Sequence, residues 1–91
     1  MKFKREDIQK IMDEILEEKL VKKNAKYGDS IYSPQVVFNK LADPEVLIGV
    51  RLDDKLGRIK LMNIDDPKYD SDLKEIVGYL LLLINWRENH K

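Results

Sequence analysis

Paired carboxylates are the residues of this chain best suited to chemistry. Glu14 and Glu17 stand three residues apart near the N-terminus, and Asp72 and Glu75 repeat that spacing near the C-terminus. Residues three or four apart share one side of a helix, so each pair can present two carboxylates together. Two such pairs in one small bundle could converge on a single site, and oxygen ligands of this kind suit Mg²⁺ carried in on substrate phosphates. The alternative for each pair is a solvated acidic surface, which at Asp72 also suits the dipole at the start of a helix.

Basic and polar side chains that could bind phosphate lie in two other segments. The lysines after the first acidic segment, with Asn24 among them, could bind phosphate and nucleoside, or could simply complement a helix C-terminus. In the middle segment Arg51, Lys55 or Arg58 could hold phosphate. Asp54 lies between the two arginines on the helical wheel, so the alternative there is a partly buried acid whose ion pair with Arg58 fixes the helix.

Composition excludes several other classes of site. The chain has 91 residues, no cysteine, one histidine, and 17 basic and 17 acidic residues, which give a formal net charge of zero. Without cysteine there is no disulfide, zinc–thiolate site or thiol catalysis, and one histidine excludes multi-histidine metal sites. Zero net charge argues against dedicated nucleic-acid binding, and the apolar runs are too short to span a membrane. We expect one cytoplasmic domain over residues 1–91, without a nucleic-acid or membrane partner.

Helical periodicity, with no sustained period-two alternation, predicts an all-α fold. Ser33-Pro34 and Asp43-Pro44 are signals for a helix start, and Asp70 or Ser71 is expected to cap the last helix. The expected helices cover about 5–24, 35–41, 44–63 and 71–88. The prediction is a small helical bundle of three long helices and one short helix.

The last helix is apolar around most of its circumference. Tyr79 and Trp86 share one side with the acid pair, whereas a broad apolar face carries Leu73, Ile76, Val77, Leu80, Leu83 and Ile84. A surface helix needs only one apolar stripe. We therefore expect this helix to be central in the bundle or shared with a second subunit, so that dimerisation completes the fold.

Four motifs in a fixed order give the chain a resemblance to a known family. They are Asp13-Glu14-x-x-Glu17, Lys23-Asn24-Ala25-Lys26-Tyr27-Gly28, Arg51-x-x-Asp54-Lys55-x-x-Arg58 and Asp72-x-x-Glu75. From about Ile8 to Trp86 the chain resembles the MazG-like all-α nucleoside triphosphate pyrophosphohydrolases, in particular the small, often phage-borne branch with a Lys-Asn-x-x-Tyr-Gly turn. Against the family's Glu-Glu-x-x-Glu and Glu-x-x-Asp pattern, Asp13 replaces a Glu and the two acids at 72 and 75 are exchanged.

The resemblance implies a reaction and a role for each motif. The reaction is Mg²⁺-dependent hydrolysis of a nucleoside triphosphate to monophosphate and pyrophosphate, with Mn²⁺ as a substitute metal. The implied metal ligands are Glu14, Glu17, Asp72 and Glu75, and Glu18 is the candidate to orient water. The substrate-binding candidates are Lys23, Asn24, Lys26, Tyr27, Arg51, Asp54, Lys55 and Arg58. The implied assembly is a homodimer or a dimer of dimers. The alternative hypothesis is a non-enzymatic helical homodimer that acts as a phage accessory or protein-interaction module.

Overall fold

The computed structural model describes residues 2–22 and 44–89. Helix α1 spans Arg5–Ile15 and continues as a π-helix over Leu16–Val21, α2 spans Pro44–Leu61, and α3 spans Pro67–Asn89. These described residues contain helices and no strand, which confirms the all-α prediction. The short helix expected over 35–41 lies outside them. None of the described helices is both long and apolar enough to cross a membrane.

Helix α3 is the central element of the described structure. It packs along α2 on one side, and against α1 and the π-helical segment on another. In the described ranges the first helix and α2 do not pack directly on each other, so α3 separates them. Among the described residues the buried apolar side chains are Ile15, Ile48 and Leu52, all of which come from the two outer helices. The expected central position of the last helix is therefore confirmed.

The first helix widens where it crosses α3. The backbone N–H of Lys22 donates to the carbonyl of Glu17, five residues earlier, as in a π-helix. This wider turn brings Ile15, Lys19 and Leu20 to the same point of α3, at the buried Gly78. A β-carbon at Gly78 would lie 3.5 Å from Cδ2 of Leu20 and 3.6 Å from Cβ of Lys19. Gly78 thus lies where the two helices pack closely, although a β-carbon there would still be at ordinary van der Waals distances.

Helix α3 begins one turn before its predicted start. Oδ1 of Asp66 accepts a hydrogen bond from the backbone N–H of Lys68 at 2.8 Å, as an N-cap side chain does. Pro67 occupies the first helical position, where its missing N–H costs nothing. The prediction of a cap at Asp70 or Ser71 is therefore wrong, because Asp66-Pro67 is the same start signal as Asp43-Pro44.

Candidate functional site

A group of charged side chains lies between the helices, on the side of α3 that faces its two neighbours. We call it the inner charge cluster: Lys19, Lys55, Arg58, Asp72 and Glu75. Lys19 comes from the π-helical segment, Lys55 and Arg58 from α2, and the two acids from α3. Asp72 is 4% exposed and is the only buried charged residue of the described ranges.

Lys55 links the two carboxylates. Its Nζ lies 3.6 Å from Oδ1 of Asp72 and 2.5 Å from Oε2 of Glu75. The hydrogen bond to Glu75 raises the pKa of Lys55 above its ordinary value of 10.5, and the negative charges of Glu75 and Asp72 act in the same direction, whereas burial and Arg58 oppose them. Lys55 therefore carries a full charge at neutral pH, and the acids share one cation.

The other carboxylate oxygens, Oδ2 of Asp72 and Oε1 of Glu75, contact different cations. Nη2 of Arg58 lies 3.4 Å from Oδ2 of Asp72, an ion-pair distance, but this buried oxygen accepts no hydrogen bond from the described residues. Nζ of Lys19 lies 3.7 Å from Oε1 of Glu75 and donates to Oγ of Ser71 at 3.2 Å. Since buried polar atoms are nearly always hydrogen-bonded, Oδ2 of Asp72 keeps unused acceptor capacity.

The acids of the first helix lie elsewhere. Glu17 and Glu18 are exposed, and Oε2 of Glu14 lies 3.9 Å from Nζ of Lys74. All three acids line an open groove of about 850 Å³ along one side of the first helix. The other described residues that line it are Arg5, Glu6, Gln9, Lys10, Asp13 and Lys22. The groove and the inner charge cluster are therefore two separate features of the described structure.

The structure brings together half of the implied metal ligands. Asp72 and Glu75 lie side by side with Lys55 and Arg58, two of the candidates for phosphate. Glu14 and Glu17 do not join them, and within 2–22 and 44–89 no group of three or more acidic or histidine side chains is arranged to hold a metal ion. The candidates Lys23, Asn24, Lys26 and Tyr27 lie outside the described residues.

The expected burial of Asp54 is wrong. Asp54 is exposed, as is Arg51, and Arg58 pairs with Asp72 instead. The reason is that α2 is apolar on two sides. The buried side carries Ile48 and Leu52, and the exposed side, which includes Asp54, carries Val46, Val50 and Leu61.

Lys19 is the member of the cluster that sequence reasoning missed. It looked like one of several lysines that balance an acidic helix. However, it follows the buried Ile15 by four residues, and residues at that spacing share a side of a helix. A lysine on the apolar stripe, rather than opposite it, is the signal that could have identified it.

A small cavity adjoins Lys19 and Glu75. It is about 30 Å³ and is also lined by Leu20, Gly78, Tyr79 and Leu82. A volume of this order holds one water molecule. The cluster thus has room for a water beside the Glu75 carboxylate.

No protein-family model, curated protein or solved structure matches the chain.

Proposed function

We propose that the chain is a Mg²⁺-dependent nucleoside triphosphate pyrophosphohydrolase of the MazG-like kind, which releases a nucleoside monophosphate and pyrophosphate. The type of reaction is the one implied by the resemblance of the four sequence motifs to that family. The observation that carries the proposal is that Asp72 and Glu75 project from one side of α3 into the interior, where both contact Lys55. Two carboxylates held in this way are suited to a divalent cation.

The inner charge cluster fits a metal that arrives with phosphate. Asp72 and Glu75 would hold the Mg²⁺, and Oδ2 of Asp72 has acceptor capacity for it. Lys55 and Arg58, released from these carboxylates, would bind phosphate oxygens through charge-assisted hydrogen bonds. The bound ion would supply charge neutralisation and an activated water. The same cations would thus neutralise the acids in the free protein and the triphosphate in the complex.

The groove on the first helix is the candidate site for the rest of the substrate. It is open to solvent, and all of its described lining residues belong to the first helix. Glu14 and Glu17 line it and remain the proposed additional metal ligands, with Glu18 proposed to orient water. Oε2 of Glu14 also lies 3.9 Å from Nζ of Lys74, which links the groove to α3.

A screen of nucleoside and deoxynucleoside triphosphates with Mg²⁺ or Mn²⁺, read out as pyrophosphate, tests the proposal. We expect release from at least one triphosphate, and loss of turnover in Glu75→Gln and Asp72→Asn. Asp53→Asn is the matched control, because Asp53 is an exposed acid of α2 that has no role in the site. Circular dichroism of each variant separates loss of chemistry from loss of fold. No pyrophosphate from any triphosphate would overturn the proposal.

A second candidate function is a non-enzymatic helical homodimer, in which the acid pair has only a structural role. The ion pairs of both acids with cations of the same chain are compatible with that role, because they neutralise the acids without a metal. The discriminating measurement is thermal melting with Mg²⁺ and a non-hydrolysable triphosphate. A ligand of the native state at 100 times its Kd raises stability by about 2.7 kcal/mol. No shift would favour the homodimer, and a shift would favour the enzyme.

A further inference from the structure

The outward side of α3 carries a regular row of residues, which we call the outer seam: Asp70, Leu73, Val77, Leu80, Ile84 and Arg87. Successive members are separated alternately by three and four residues, the spacing of coiled-coil a and d positions. The four apolar members are 41%, 38%, 43% and 56% exposed in chain order. A helix-packing pattern is therefore present on a face that nothing in the described structure covers fully.

The outer seam is symmetric in size and charge about its centre. When two copies of α3 are placed antiparallel, with the centres of their seams superposed, Val77 faces Leu80 and Leu73 faces Ile84. In the same register Asp70 of each copy faces Arg87 of the other, so both ends of the seam bring opposite charges together. In a parallel pair each residue would face its own copy, and like charges would meet at both ends. The charge pattern thus selects a second copy in the antiparallel orientation.

We infer that the outer seam is a homodimer interface in which α3 packs antiparallel on α3 of a second copy, with an Asp70–Arg87 ion pair at each end. Such an interface is isologous, as expected for a two-fold dimer. In the single chain Arg87 is 66% exposed in its side chain and lies 3.4 Å from Glu45. A guanidinium has five N–H donors, so Arg87 can keep this contact and still bind Asp70 of the second copy. The inference does not depend on the proposed enzymatic activity.

Sedimentation equilibrium of the full chain at micromolar concentration tests the assembly. We expect a dimer for the wild type and a monomer for Val77→Glu. Val50→Glu is the control, because Val50 is an exposed valine of α2 outside the seam, 52% exposed against 38% for Val77, and this variant should stay dimeric. A monomeric wild type would overturn the inference, and it is the result expected if another part of the same chain covers the seam. A dimer that Val77→Glu leaves intact would also overturn it.

Charge reversal tests the orientation with variants that change only exposed residues. Asp70→Arg and Arg87→Asp should each weaken the dimer by about tenfold in Kd, and the double reversal should restore it. If the double reversal is as weak as the single ones, the ion pairs do not exist.

Disulfide trapping provides a second test, because the chain has no cysteine of its own. A mixture of Val77→Cys and Leu80→Cys chains should oxidise to the mixed dimer. Preferential oxidation of Val77→Cys with itself would indicate a parallel pair and would overturn the inference.

Discussion

Replacing Asp72 by asparagine removes the charge of a residue that is only 4% exposed, while keeping the size of its side chain. The substitution leaves Lys55 with Glu75 alone and leaves Arg58 without its carboxylate at 3.4 Å. These two losses are unequal, because the side chain of Lys55 is 18% exposed and that of Arg58 is 49% exposed. Water can replace the carboxylate at Arg58 far better than at Lys55.

The distances set the size of the effect. Two unit charges about 3.6 Å apart attract by about 4–5 kcal/mol at an effective dielectric of about 20, but by only about 1 kcal/mol in water. The Lys55–Asp72 pair lies nearer the first limit and the Arg58–Asp72 pair nearer the second. Removing one member of a fully buried pair costs roughly 3–5 kcal/mol, and since Lys55 keeps Glu75 we expect about 2 kcal/mol for Asp72→Asn. For a domain of this size, that corresponds to a fall of about 8–16 °C in Tm.

Urea and thermal denaturation in EDTA, at one fixed protein concentration, measure this cost without metal or dilution effects. Asp53→Asn, an exposed control on α2, should change stability by less than about 0.5 kcal/mol. Double-mutant cycles of Asp72→Asn with Lys55→Met and with Arg58→Met should give the larger coupling for Lys55. If Asp72→Asn costs no more than the control, or if Arg58 shows the larger coupling, the account of the inner charge cluster is refuted.

Three further predictions concern other features of the fold. Gly78→Ala should stabilise the protein by up to about 1 kcal/mol, because alanine is favoured over glycine in helices and a β-carbon at Gly78 meets only ordinary contact distances. Gly57→Ala, at an open position, is the control and should show a similar gain. If urea denaturation shows a clear loss of stability for Gly78→Ala alone, this prediction is contradicted. The raised pKa of Lys55 means that its contribution to stability is complete below pH 10.5 and is lost as pH rises through the folded-state pKa. Tm measured from about pH 9 to about pH 12 should therefore fall less steeply in Lys55→Met than in the wild type. Asp66→Ala should cost about 1 kcal/mol through loss of the helix cap, and an equal loss in the control Asp65→Ala would show that the cap is not its cause.

The number, order and type of the described long helices could be predicted from sequence, because apolar periodicity is a local property of the chain. The central position of α3 also followed from its composition. The inward side of α2 could not be predicted in the same way, since apolar residues lie on both of its sides. Asp54 was therefore placed on the wrong side, and only the packing of Ile48 and Leu52 against α3 settles the orientation.

The site could be predicted only where it depends on local spacing. Asp72 and Glu75 share one side of α3 because they are three residues apart. That Lys19 and Lys55 reach these acids from two different helices depends on how the helices cross, which periodicity does not encode. The same limit applies to Glu14 and Glu17, whose spacing puts them together but does not place them next to Asp72 and Glu75.

The π-helical turn at Leu16–Val21 gives the first helix one residue more than a regular α-helix needs for the same turn. A single-residue deletion within it would close the turn to α-helical geometry, and because a π turn and an α turn each complete about one revolution, the two parts of the helix would keep their relative orientation. Ile15 and Lys19 would then be three residues apart and would still share the side that faces α3. A deletion within the regular part, Arg5–Ile15, would instead rotate the residues before it by about 100°. We therefore expect the chain to tolerate loss of one exposed residue within this turn better than a loss within the regular part of the helix.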